Sequence, residues 1–367
     1  MTISGTIKCN AATNPTQVAF SEGVSMFRRI QTSLNGQLVD DVDSCHKNTN
    51  AMVYASANKS WYNSTGSFAN YYMLNPELNS PVGGTGAAYQ ANPTPAASGI
   101  ASGGAYTPIF GDVKSAQTNA NLRHANGQDV AIPLSLLSGF FRQRSYLPLF
   151  ACGELLVTLQ CAVDGEALWT WGATGTSWEI SDLFIEADLV QPHHLYLDLI
   201  SKLTQNEGEQ GLSLAYDSTI VQSGVANTAS SASYIVSRAS NNARKILLTH
   251  TPTAALAVST YPNTACFPNF KINSIQTRIG SLYFPSQGLT TSARMWANTQ
   301  LAFGEPSNDT QVGVLNWYLY NNTTTSGGVV SNNVANNPVF QQVYGDKFVF
   351  AQSLDNYHAD ELDIDGV

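Results

Sequence analysis

The segment Ile30-Gln31-Thr32-Ser33-Leu34-Asn35-Gly36 returns in the last third of the chain as Ile275-Gln276-Thr277-Arg278-Ile279-Gly280. Side chains of a strand point alternately to its two faces, so Ile30, Thr32 and Leu34 share one face and Ile275, Thr277 and Ile279 the equivalent face. A Gly follows each copy and invites a turn, and Asn35-Gly36 is a strong hairpin or bulge signal. Two strand-like copies imply one β-fold used twice. The alternative is a chance match between two β-rich segments, so the rest of the chain has to carry the reading.

The chain has 367 residues, more than one hydrophobic core usually organises, and two halves of medium size fit that length. Charged residues make up 12%, about half the share typical of soluble domains. Lys and Glu are depleted from interface cores because their burial costs rotamer entropy and desolvation, so low charge points to extensive self-association. A β-rich protein with long polar loops would show the same depletion.

The net charge of −9, with Asp355, Asp360, Glu361, Asp363 and Asp365 crowded near the C-terminus, argues against direct nucleic-acid binding. Phosphate backbones need clustered cations, and the densest groups are Arg28-Arg29, Arg142/Arg144 and Arg244-Lys245. Cys9, Cys45, Cys152, Cys161 and Cys266 include no C-x-x-C pair and are odd in number, which reads as a reduced intracellular protein. No secretory signal and no apolar run long enough to span a membrane is visible, so the chain is expected to be made inside a cell and not secreted. The sequons at Asn58, Asn63, Asn308, Asn321 and Asn322 are then expected to stay unmodified.

Along the chain, a polar leader precedes a short helix expected over 20–30 and a strand over 29–42. A helix is expected over 43–57. Residues 75–108 collapse to Gly, Pro, Ala, Ser and Asn and read as one long loop. The apolar run 132–141 predicts a strand end leading into a short helix. Residues 154–163 then predict a buried strand with Leu155, Val157, Leu159 and Cys161 on one face. A further strand over 178–190 would place Leu183, Ile185, Ala187 and Leu189 inward. Leu195, Leu199 and Leu203 stand at helical spacing over 194–205. The boundary between halves falls after that helix, separating 1–204 from 205–367. Later strands are expected at 212–216, 245–250, 271–284, 312–320 and 346–351, with a polar loop over 321–337. Many short strands and few helices predict an all-β fold of sandwiches or barrels with Greek-key connections.

Three segments in this order carry a family likeness. The run RRIQTSLNGQLVDD (28–41) resembles the Asn-Gly strand in the first half of double jelly-roll major capsid proteins of polinton-like viruses and virophages. IPLSLLSGFFRQRSYLPLFACGELLVTLQC (132–161) resembles the helix-and-strand segment that ends the first jelly roll of that family. SIQTRIGSLYFPSQ (274–287) resembles the second jelly roll's strand running through Gly-Ser into an aromatic-Pro-x-Gln turn. The resemblance implies two consecutive eight-stranded jelly rolls with short helices and long loops. It implies a homotrimer forming a pseudo-hexagonal capsomer of the icosahedral shell of a double-stranded DNA virus, a hexon-like structural protein located in the virion. The implied partners are further copies of the chain, neighbouring capsomers, and penton and minor capsid proteins, the last contacted by the acidic tail; an internal membrane is left open.

No residue is assigned a catalytic, cofactor-binding or metal-binding role. His193-His194 and His250, or Asp40, Asp41 and Asp43, lack a spacing that specifies a metal site. Asp363-Ile364-Asp365-Gly366 starts like a calcium loop without the twelve residues needed to close one. Gly83-Gly84-Thr85-Gly86 lacks the phosphate-loop lysine. Cys152 and Cys161 read as inert buried thiols, and Phe140-Phe141 and Tyr71-Tyr72 as core or interface aromatics. The expected protein is therefore not an enzyme. Two other readings are kept: a carbohydrate-binding or carbohydrate-active β-sandwich, for which Glu154, Glu166, Asp182, Glu186 and Asp188 supply acids without a convincing pair, and a trimeric viral spike or fibre.

Overall fold

The computed structural model describes residues 1–12, 18–21, 23–57, 61–66, 68–71, 127–143, 146–149, 153–170, 175–198, 202, 215–224, 231–236, 243–251, 264–265, 267, 269, 272–303, 320 and 347–354. The expected loops at 75–108 and 321–337, the acidic tail, the Gly83–Gly86 turn, Tyr72, Cys152, Cys266 and nearly all of the 312–320 strand lie outside these residues.

The described chain is mostly strands with few helices. Residues 2–10, expected as a polar leader, instead form β1 (Thr2–Asn10), the middle strand of a three-stranded antiparallel sheet. Its neighbours are β5 (Gln128–Pro133) and β8 (Ser177–Glu186). The signal was a plain alternation: Ile3, Ile7 and Cys9 are buried while the polar residues between them are half-buried on the other face.

A second three-stranded sheet centres on β3 (Phe27–Leu34), flanked by β4 (Gln37–Val42) and β6 (Leu155–Cys161). Two short strands, β2 (Val18–Phe20) and β7 (Leu168–Thr170), pair beside them. Helix α1 (Cys45–Ser56) follows β4 as expected and buries Val53, Tyr54 and Ala55. The apolar run 132–141 becomes the end of β5, helix α2 (Leu134–Leu137) and a 3-10 turn over Gly139–Arg142. Helix α3 (Asp164–Ala167) joins β6 to β7.

The repeated segment forms two hairpins. Leu34 faces Gln37 across a two-residue loop in which Asn35 and Gly36 have φ of 48° and 76°. Positive φ at both positions is the turn whose twist matches paired strands, and it selects Asn-Gly. The second copy, β10 (Ile275–Ile279) and β11 (Leu282–Leu289), pairs Ile279 with Leu282 across a loop of the same length, with Gly280 at φ 60°.

Helix α4 (Ser292–Phe303), not foreseen, buries Met295, Thr299 and Ala302 at helical spacing against β12 (Phe350–Ser353). β12 pairs with β9 (Lys245–Leu248). One hydrophobic cluster gathers the first-half sheets and α1 with Phe267 and Val349. A second cluster holds Leu289, Met295, Tyr320, Phe348 and Phe350. The two halves meet on α1: Asn50 Nδ2 donates to the Thr264 carbonyl at 2.8 Å, and the buried Lys347 ammonium sits 3.7 Å from the centre of the Tyr54 ring.

Several expectations are corrected. The described residues of the expected 20–30 helix are not helical: Gly23, at φ 79°, turns the chain between β2 and β3, and Asn70 Nδ2 donates to the carbonyls of Ser21 and Gly23. A helix leaves no place for that left-handed residue in its interior. Ala215 and Tyr216, within the expected strand 212–216, have no strand pairing. The expected 271–284 strand is a hairpin that continues to Leu289. Cys161 is exposed rather than buried, because the β3–β6 register slips between Phe27 and Arg29 and ends the alternation of β6.

Candidate assembly surface

The polar and titratable residues singled out from the sequence do not converge. Asp40, buried at 2% exposure, accepts hydrogen bonds from the Ser138 hydroxyl and, at 2.6 Å, from the Ser218 hydroxyl. Asp41 receives a bidentate pair from Arg29 at 2.7 and 2.6 Å, which holds its carboxyl below the usual range. Asp43 lies 3.8 Å from Arg28. These neighbours in sequence thus serve three different ties. His193 and His194 stack on each other at 4.0 Å, and burial pushes His250 down. Phe140 packs edge-on to Phe141 and Tyr216, and Tyr71 to Trp61. Among the described residues no three His, Cys, Asp or Glu side chains group as metal ligands.

One charged cluster joins several elements. His46 on α1 is buried, and its Nδ1 accepts from the Lys47 backbone N–H at 2.9 Å, which leaves the ring proton on Nε2, 3.6 Å from Glu166 of α3. Arg28 lies 3.7 Å from the same carboxylate. The His46 contact, with the charges of Arg28 and Lys47, lowers the Glu166 pKa against the opposing effect of burial. Thr264 donates to the Glu166 carbonyl at 3.4 Å, so the cluster also touches the second half. Through the 3.6 and 3.7 Å approaches of His46 and Arg28 to one carboxylate, the cluster is a brace between β3, α1 and α3.

The surface departs from the sequence expectation. β8 was expected to bury Leu183, Ile185, Ala187 and Leu189, and it does not. Its pairing with β1 shifts between Ser4 and Thr6, with Asp182 at φ 52°, and the strand stops at Glu186. Before this bulge Trp178 and Ile180 pack on the core. After it Leu183 and Ile185 are each 47% exposed, Phe184 51% and Leu189 81%. The chain is helical at 194–198 and at 202, yet Leu195 is 64% exposed, so the start of its apolar stripe stays uncovered; Leu199 and Leu203 lie outside the described residues.

This exposure follows a charge pattern that the composition hides. Residues 145–201 hold eight acidic side chains and no Lys or Arg, whereas residues 218–304 hold six Lys or Arg and no Asp or Glu. Of the twenty large hydrophobic residues exposed among the described ones, ten fall in the acidic stretch and seven in the basic one. The acidic set includes Leu156, Val163 and Tyr196; the basic set includes Ile235, Val236, Ile279 and Tyr283. Where exposed apolar residues adjoin, as Leu183, Phe184 and Ile185 do along β8, they are candidates for contact with another molecule. This segregation stands in the sequence without forming any motif.

Comparison of the chain with protein-family models, with curated proteins and with solved structures finds no match.

Proposed function

We propose that this chain is a structural protein, the major capsid protein of a double-stranded DNA virus. In this reading two consecutive eight-stranded jelly rolls, 1–204 and 205–367, assemble as a homotrimeric, pseudo-hexagonal capsomer. The observation that carries the reading is the large apolar surface left exposed on a β-rich chain of low charge. Exposed apolar side chains gain stability when another macromolecule covers them. Two further features support it: the paired three-stranded sheets that share the first-half core, and the two equal hairpins formed by the repeated segment. Work of this kind is done by interfaces. Closed point-group assembly from one chain type is the common way to satisfy them, and penton and minor capsid proteins are the further partners this reading requires.

Light scattering and negative-stain imaging of purified protein test the proposal. A species of three times 39.4 kDa with a hexagonal outline is expected. A compact monomer at all concentrations would reject it, and binding to a glycan array would then favour a carbohydrate-binding sandwich. A trimer with an elongated outline would favour a spike or fibre.

A further inference from the structure

We infer that Val39, Asp40, Ser138, Gly139 and Phe140 form a recognition notch for an extended Tyr-x-Ser segment, filled here by the chain's own residues 216–218 and open to the same segment of a second copy. This does not depend on the capsid reading, so either can fail alone.

The notch joins β4 to the turn after α2, where the buried Asp40 carboxylate accepts from the Ser138 hydroxyl. Phe140, 1% exposed, closes one wall. Residues 215–224 lie against this frame in neither helix nor strand and are held at points instead. The Tyr216 hydroxyl donates to the Val39 carbonyl, and its ring meets Phe140 edge-on with centroids 5.3 Å apart. The Ser218 hydroxyl donates to the other Asp40 oxygen at 2.6 Å. Between them the Asp217 carbonyl lies so close over Gly139 that a Cβ at position 139 would overlap it. Gly139 has no positive φ to call for glycine, so the approach of Asp217 is what excludes a side chain there.

These contacts read a sequence. The first position needs a ring for Phe140 and a hydroxyl long enough to reach the Val39 carbonyl, and the third needs a short donor for a buried acceptor. The middle side chain is unread: Asp217 is exposed and accepts from Arg244 at 2.9 Å. The segment is also separable. Ser218 and Ile220 are exposed, Val221 is its apolar anchor on the first core cluster, and it has no ladder of strand bonds. Segments held in this way open at a fraction of the free energy of global unfolding. Opening costs Asp40 a donor and uncovers Phe140, and the same segment from a second copy restores each contact, as in domain swapping. Its own segment fills the notch by effective concentration, and copies held close together compete for it.

The test uses a fluorescein-labelled peptide of residues 215–224 and a chain carrying Tyr216→Ala with Ser218→Ala, which releases its own segment. Saturable binding is expected by fluorescence anisotropy, roughly tenfold or more tighter than to the starting protein, whose notch is filled. Adding Gly139→Ala to the released chain, or Ser218→Ala to the peptide, is expected to weaken binding by roughly tenfold. Asp217→Ala in the peptide is expected to change it by less than about twofold. The chain with Ser218→Ala alone is a milder release and is expected to bind with intermediate affinity. No saturable binding to either released chain, each shown folded by a cooperative urea transition, would overturn the inference. Binding unmoved by Gly139→Ala, or equal in the starting protein, would overturn it as well.

Discussion

Replacing Asp40 by Ala should loosen the tie of segment 215–224 to β4, which the Tyr216 hydroxyl still holds at the Val39 carbonyl, at a cost the structure allows one to work out. The carboxylate is 2% exposed and receives the Ser138 and Ser218 hydroxyls, with the Phe140 N–H more distant at 3.5 Å. A hydrogen bond to a charged acceptor contributes about 1.5–3 kcal/mol, and the two hydroxyl bonds together set an upper range of about 3–6. Freed hydroxyls can rotate toward other acceptors, and the Phe140 N–H keeps the Ser138 oxygen at 3.2 Å, so about 3 kcal/mol is expected for Asp40→Ala. Asp40→Asn retains the shape and one acceptor oxygen and should cost about 1 kcal/mol. Ser218→Ala should cost a similar amount, and its effect should largely vanish in the Asp40→Ala background, because both changes remove one bond. Urea unfolding at a single protein concentration is the assay, since association adds concentration-dependent stability and a guanidinium salt would screen charge. An Asp40→Ala protein within about 0.5 kcal/mol of the starting protein, or additive effects of the two changes, would refute the reasoning.

Other consequences follow from single elements. Gly36→Ala and Gly280→Ala should each cost about 1–2 kcal/mol in urea unfolding, since both glycines have positive φ and nothing crowds a Cβ there; a neutral result at both sites would contradict the two-hairpin assignment. Glu166 has a lowered folded pKa, so its contribution is complete above the unfolded carboxylate value of about 4.3 and is lost as pH falls through the folded value. Stability measured from pH 5 downward should fall less steeply in Glu166→Gln than in the starting protein, and parallel curves would show that the brace carries no such linkage. Burial pushes the Cys45 thiol up to about 12 and that of Cys9 up as well, while Cys161 is exposed. Iodoacetamide at pH 8 should therefore modify Cys161 well before Cys9 or Cys45, as read by peptide mass spectrometry; labelling of all three at one rate would contradict their placement.

Periodicity and turn chemistry are local, and where they govern, the chain could be read directly. Helix α1, the end of β5 with the helix after it, and the Asn35-Gly36 hairpin appear where spacing and turn residues placed them. The segregation of charge between 145–201 and 218–304 was equally legible. Tertiary structure alone decided which apolar residues are covered. Leu183 and Leu189 have the alternation of inward residues, but a bulge opposite Gly5 and the end of β8 at Glu186 leave them in water. Cys161 is exposed by a register slip in the neighbouring strand, and Asp40 meets Ser218 from far along the chain. Register and long-range partners depend on the sum of many cross-strand contacts, and a shift of one residue reverses which face a side chain takes. No local pattern contains that sum, so the face this protein offers to other molecules emerges only when the strands are paired.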